Sequence, residues 1–81
     1  MFHVYILRSI LNNRYYIGSN KNVARRLEQH NFGLVRSTKG FMPWALAYQK
    51  ELPTLSGARK RELQIKSWKK RAAIEKLINN F

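Results

Sequence analysis

The sequence predicts an α+β chain with its elements in the order β-β-α-β-α-α. Three observations carry that prediction. Residues 2–8 alternate with period two, with Phe2, Val4 and Ile6 on one face and His3, Tyr5 and Leu7 on the other, as in a strand. Val23 and Leu27 stand at i, i+4, the spacing of a buried helical stripe. Leu55, Ala58, Glu62 and Ile65 repeat a helical spacing further along the chain.

Taken in order, the first strand ends before Asn12-Asn13, a pair that tolerates left-handed backbone and suits a two-residue hairpin turn. Tyr15-Tyr16-Ile17, aromatic and β-branched, makes the second strand. With Asn12 and Asn13 as the central turn residues, Ser9 faces Tyr16 and Leu7 faces Gly18. Tyr5 and Tyr16 then project on the same side, whereas a one-residue slip would separate them. Gly18 to Asn22 is a polar loop rich in helix-capping residues. A helix from Val23 to His30 follows, with Arg26 and His30 as a second i, i+4 pair at the edge of its buried stripe. Residues 33–43 read as a loop, and Trp44 to Tyr48 as a third strand closed by Pro53.

Thr54 is placed to cap a helix running to about Trp68. The later apolar positions Ile74, Leu77, Ile78 and Phe81 are out of phase with its stripe. A break near Ser67–Lys70 and a short third helix are therefore expected. No repeat, low-complexity segment or linker divides the chain, so residues 1–81 read as one domain.

Composition narrows the function classes. The apolar fraction is 44%, enough for a true core rather than a disordered basic tail. Cysteine is absent, which excludes disulfides and thiolate metal sites and suits the cytoplasm. The opening strand is too short and too interrupted for a signal peptide or a membrane span. Sixteen Lys and Arg against four Asp and Glu leave a formal charge of +12 at pH 7. A surplus of that size repels itself and implies a polyanionic partner. Nucleic acid is the first candidate, because phosphates bind Lys and Arg with counterion release. A membrane surface is disfavoured, since no helix joins a wide apolar face to a basic one.

Few residues are left to do chemistry. There is no aspartate. Glu62 stands out because it lies on the inward stripe of its helix, where a carboxylate is costly unless paired or metal-bound. An ion pair with Lys66 at i+4 or Arg59 at i−3 would satisfy it. Alternatively it is the best side-chain ligand for a divalent ion, with water and substrate phosphates completing the shell as magnesium tolerates. Tyr5 and Tyr16, taken singly, read as strand packing. Arg26 reads as one more surface charge, and His30 as a complement to the helix dipole. Their joint order along the chain is what separates them from that background.

That order resembles the GIY-YIG nuclease superfamily, in particular its small stand-alone bacterial members of the YhbQ-like, UPF0213 type. His3-Val4-Tyr5 stands at the first motif, and Tyr16-Ile17-Gly18 matches the second in full. Gly18 through Asn31 is similar to the family's glycine-to-arginine-to-histidine helix, with Arg26 at the catalytic arginine. Pro43 to Tyr48 resembles the third strand. Gly57 to Lys69 resembles the helix that supplies the metal-binding glutamate, at Glu62. The first motif lacks its glycine and isoleucine, and position 74 is isoleucine where many members carry a substrate-contacting asparagine.

The resemblance implies a three-stranded antiparallel sheet flanked by helices, and a metal-dependent DNA endonuclease using one Mg²⁺ or Mn²⁺ held by Glu62. The implied catalytic set is Tyr5, Tyr16, Arg26, His30 and Glu62. Tyr5 takes a proton from the attacking water, with its pKa lowered by Arg26 and the metal. Arg26 stabilises charge on the phosphate, and His30 assists proton transfer or orients Tyr16. Products with a 5′ phosphate and a 3′ hydroxyl, and a role in DNA repair or processing, are implied with it. Lys21, Arg25, Arg59, Lys66 and Lys69 are the expected DNA contacts. Two other classes fit the residues: a non-catalytic nucleic-acid-binding module on the same fold, and a small basic RNA-associated protein with the tyrosines in its core.

Overall fold

Apolar residues on both faces of the first strand require cover on both sides, and this makes it the central strand of the sheet. The computed structural model describes residues 1–80, so Phe81, expected on the last apolar stripe, lies outside the described residues. The elements are β1 (Phe2–Ser9), β2 (Tyr15–Asn20), α1 (Val23–Asn31), β3 (Trp44–Leu52), α2 (Leu55–Ser67) and α3 (Arg71–Asn79). A short 3₁₀ turn at Lys39–Phe41 interrupts the loop before β3. The strands form one antiparallel sheet in the order β2-β1-β3. Class and element order are those the sequence predicts.

On one face, Val4 and Ile6 pack with Ile17, Tyr48 and Ile65, and with Ile74, Leu77 and Ile78 of α3. On the other, Tyr5 and Leu7 pack with Val23, Trp44, Tyr16 and Leu27. Trp44 and Tyr48 share strand parity yet serve opposite faces. A bulge explains this: Ile6 pairs with Tyr48 but Leu7 with Leu46, leaving Ala47 as the extra residue.

The hairpin differs from the expected two-residue turn. Tyr5 pairs with Gly18 and Leu7 with Tyr16, so Ser9 does not face Tyr16, and the connection spans Ile10 to Arg14. Ser9 Oγ accepts hydrogen bonds from the backbone N–H groups of Leu11 and Asn12, both at 3.2 Å. It donates its own proton to the Phe41 carbonyl at 2.6 Å. These bonds satisfy the longer loop and draw Ile10 and Leu11 out of the strand. Asn13 supplies the left-handed residue, at φ 62°. The slip is two residues, so parity survives and Tyr5 and Tyr16 still share a face.

The helices start and stop on local chemistry. Asn22 caps α1 by accepting from the Arg25 N–H at 3.1 Å, and Thr54 caps α2 by accepting from the Gly57 N–H at 3.0 Å. The expected break falls at Trp68–Lys70, where Lys69 is left-handed at φ 55°. Ala58 and Ile65 are buried as the stripe requires, whereas Leu55, in the first turn of α2, is left exposed. β3 continues past Tyr48 to Leu52 because β1 offers pairing partners as far as Phe2.

Candidate active site

Tyr5 stands opposite Gly18, and its ring passes directly over that residue. A Cβ at Gly18 would lie 2.7 Å from the Tyr5 hydroxyl oxygen and 2.8 Å from Cζ. Only a residue without a side chain lets the ring lie there. Tyr16 precedes Gly18 on β2, with its ring centroid 6.3 Å from that of Tyr5 and 4.8 Å from the imidazole of His30.

His30 comes from the last turn of α1 and is fully buried, not at the edge of the helix stripe as its spacing suggested. The two tyrosine rings cover it. Its Nδ1 lies 2.7 Å from Thr38 Oγ1, and its Nε2 lies 3.3 Å from the Tyr5 hydroxyl. Thr38 donates its one hydroxyl proton to the Val35 carbonyl at 3.3 Å. With that proton turned to Val35, Thr38 accepts from His30 Nδ1–H, the tautomer in which Nε2 is the acceptor for the Tyr5 O–H. A directed chain runs from Tyr5 through His30 and Thr38 to the Val35 carbonyl.

Arg26, one turn before His30, donates to Gln29 Oε1 at 2.9 Å, and its guanidinium favours the charged form of Tyr5. Burial pushes the Tyr5 phenol up to about 12, with Tyr16 and Glu62 adding to the rise and Arg26 opposing it. The expectation that Arg26 lowers this pKa is right in sign for Arg26, but desolvation outweighs it. Burial, and then the Arg26 charge, bring His30 down to about 4. At neutral pH the pair is thus a neutral phenol donating to a neutral imidazole.

Ser19, next along β2, points to the opposite face of the sheet by strand alternation. There its hydroxyl donates to Glu62 Oε1 at 2.7 Å. The Lys66 ammonium holds the other carboxylate oxygen, Oε2, at 2.6 Å. Of the two ion-pair partners open from the sequence, the structure selects Lys66. The site therefore straddles an edge strand, with Tyr5, Tyr16, Arg26 and His30 on the α1 side and Glu62 on the α2 side. Gly18-Ser19 lies between them.

This arrangement joins the tyrosines, arginine, histidine and glutamate of the sequence motifs, and the GIY-YIG catalytic domain matches residues 1–77. The chain belongs to the GIY-YIG family. Among solved structures, this GIY-YIG chain is similar to the solution NMR structure of the UPF0213 protein BH0048 from Bacillus halodurans. That likeness has 28% identity and a TM-score of 0.61, covering 98% of this chain and 84% of that one. No curated protein matches the chain at a significant level. As a small GIY-YIG, UPF0213-type protein it is a member of a nuclease family that binds nucleic acid. No helix among the described residues is long and apolar enough to cross a membrane.

Among the described residues no three His or Glu side chains form a cage, so Glu62 would be the lone protein carboxylate for a divalent ion. As a hard oxygen donor it suits such a cation, which would have to share with or displace the Lys66 ammonium on Oε2.

The expected DNA contacts are all exposed. Lys21 and Arg25 flank the start of α1, and Arg59 and Lys66 lie about one turn either side of Glu62 on α2. Lys69 lies past the end of α2. Ile74, at the asparagine position, packs against the core below α3.

Sequence reasoning passed over Ser19 and Thr38. Ser19 was recoverable from alternation, since its neighbour Gly18 faces Tyr5. Thr38 lies in an aperiodic loop and carries no such signal.

Proposed function

We propose that this chain is a metal-dependent DNA endonuclease that hydrolyses phosphodiester bonds by a one-metal mechanism, in cytoplasmic DNA repair or processing. The observation that carries the reading is the convergence of Tyr5, Tyr16, Arg26 and His30 on the edge strand that also holds Glu62 through Ser19.

A Mg²⁺ or Mn²⁺ ion held by Glu62 would supply positive charge to the scissile phosphate and to the leaving 3′ oxygen. Tyr5 accepts the proton of the attacking water as its own passes to His30 Nε2. A free Tyr5 phenolate is avoided, as its pKa of about 12 requires. The resulting imidazolium keeps a hydrogen bond at each nitrogen, to Tyr5 and to Thr38. Arg26 places a guanidinium against the phosphate oxygens as charge builds. Lys21, Arg25, Arg59, Lys66 and Lys69 hold the flanking backbone.

The test is incubation with Mg²⁺ or Mn²⁺ on single-stranded, duplex and branched DNA, beside Arg26→Ala and Glu62→Ala. Metal-dependent cleavage by wild type, lost in both variants, is the expected result, and equal activity in all three proteins would overturn the assignment. A non-catalytic binding module is the second reading, favoured by Ile74 packed where a substrate-side asparagine would stand. It requires DNA affinity that Glu62→Ala leaves unchanged and no cleavage by wild type.

A further inference from the structure

The hairpin loop carries two large apolar side chains into water. Ile10 is 62% and Leu11 66% exposed. Turns of this kind are ordinarily built from Asn, Gly and Asp, and single exposed apolar residues need no explanation. A pair at the tip of a hairpin held stiffly in place is different. Ser9 Oγ binds the N–H groups of Leu11 and Asn12, Ile10 N–H donates to the Pro43 carbonyl at 2.9 Å, and Asn13 N–H donates to Ser9 at 2.9 Å. The tip has little freedom to fold its side chains back onto the protein.

Both flanks of this tip carry an arginine pinned over an aromatic ring. Arg14 lies 4.4 Å from the ring centroid of Phe41, which packs on the α1 face of the sheet. Arg71 lies 4.4 Å from the centroid of Tyr15, which packs on the α2 and α3 face. Arg71 also donates to the Asn13 carbonyl at 2.6 Å and is held by Glu75 at 3.3 Å. A guanidinium fixed by stacking loses little freedom on meeting a phosphate. An apolar wedge with one ordered guanidinium on each side matches a double helix entered between its two backbones.

The geometry points to Ile10-Leu11 as a wedge that inserts at a disrupted base step, a nick or a branch, with Arg14 and Arg71 on the phosphates of the two strands. The inference rests on the nuclease reading only for nucleic acid as the partner. It adds what the site by itself leaves open, namely the kind of DNA that is preferred. An intact duplex would have to be unstacked at a cost of a few kcal/mol, whereas a nick or branch is already open.

The experiment uses the full chain in EDTA, so turnover plays no part. Fluorescence anisotropy compares an intact duplex with the same duplex carrying a nick or a three-way branch, with 2-aminopurine beside the break. Wild type is expected to prefer the broken DNA by about tenfold and to brighten the 2-aminopurine. The double variant Ile10→Ser, Leu11→Ser, at exposed positions, loses that preference and the brightening while keeping its affinity for intact duplex. Arg14→Gln weakens binding to every DNA and reduces the salt slope by about one, leaving the preference in place.

Equal wild-type affinity for broken and intact DNA overturns the wedge, as does a preference that survives the double substitution. It is also overturned if the double variant changes only self-association in sedimentation, which would make the tip a contact between copies. Absence of cleavage with Mg²⁺ beside an intact wedge signature would instead count against the nuclease reading alone.

Discussion

The Tyr5 hydroxyl lies 3.3 Å from His30 Nε2, and the direction of that hydrogen bond is decided by a third residue, Thr38, on the far side of the imidazole. With its proton turned to the Val35 carbonyl, Thr38 accepts from His30. The nitrogen facing Tyr5 is thereby kept free of a proton.

Thr38→Val keeps the shape of that side chain and removes its acceptor. His30 Nδ1–H is then left without a partner in a fully buried position, which costs about 1–3 kcal/mol of stability. The tautomer preference weakens with it. Urea unfolding should register the loss, and imidazole ¹⁵N shifts should move from a single Nδ1–H tautomer towards a mixture. Unchanged shifts would mean that Thr38 does not assign the proton.

The same burial makes His30 a source of pH dependence. Its folded pKa of about 4 lies below the ordinary value of 6.5, so the unfolded chain binds the proton more readily. Stability therefore rises with pH between about 4 and 6.5 and levels off above. The full swing is about 3 kcal/mol. Denaturation midpoints taken across that window should follow this slope, and His30→Gln should flatten it. An equal slope in the variant would place the effect elsewhere.

Much of this was legible in the sequence, for reasons specific to each residue. Period-two alternation puts Tyr5 and Tyr16 on one face in any register that differs by two residues, so the misread hairpin did not disturb the pair. Glu62 was visible because a carboxylate on an apolar stripe demands a partner; that demand left Lys66 and Arg59 open, and the choice of Lys66 needed the fold. The bulge at Ala47 leaves no mark in the pattern, because it depends on how β3 meets β1. Thr38 and the Ser9-centred loop were hidden for a related reason. Their roles come from hydrogen bonds to residues well separated in sequence, His30 and Phe41. The height of the Tyr5 pKa was also out of reach, since desolvation depends on how the chain closes over the ring.

Gly18→Ala tests the close approach on which the site depends. The added Cβ would meet the Tyr5 ring and hydroxyl at 2.7–2.8 Å, so the ring has to move. Overpacking of that kind costs about 1–3 kcal/mol. It also draws the hydroxyl away from His30, so cleavage should fall far more than DNA affinity. Full activity with a stability loss alone would show that the Tyr5–His30 contact is dispensable.

The last prediction concerns Lys66 and the divalent ion proposed to bind at Glu62. Lys66 holds Oε2, and its side chain is 47% exposed against 19% for Glu62. An exposed pair of this kind contributes at most about 1 kcal/mol. A divalent ion binding the same carboxylate has to displace or share with that ammonium, so Lys66→Met should strengthen Mn²⁺ binding by up to about fivefold. Lys60→Met, an exposed lysine on the same helix with no bond to Glu62, corrects for the general loss of positive charge. Glu62→Gln should abolish the site in either background. Mn²⁺ titration followed by electron paramagnetic resonance, without DNA, separates the cases. If Glu62→Gln leaves Mn²⁺ binding intact, the glutamate is not the ligand. If it removes binding while Lys66→Met and Lys60→Met behave alike, Glu62 is the ligand and the ion pair with Lys66 does not tune it.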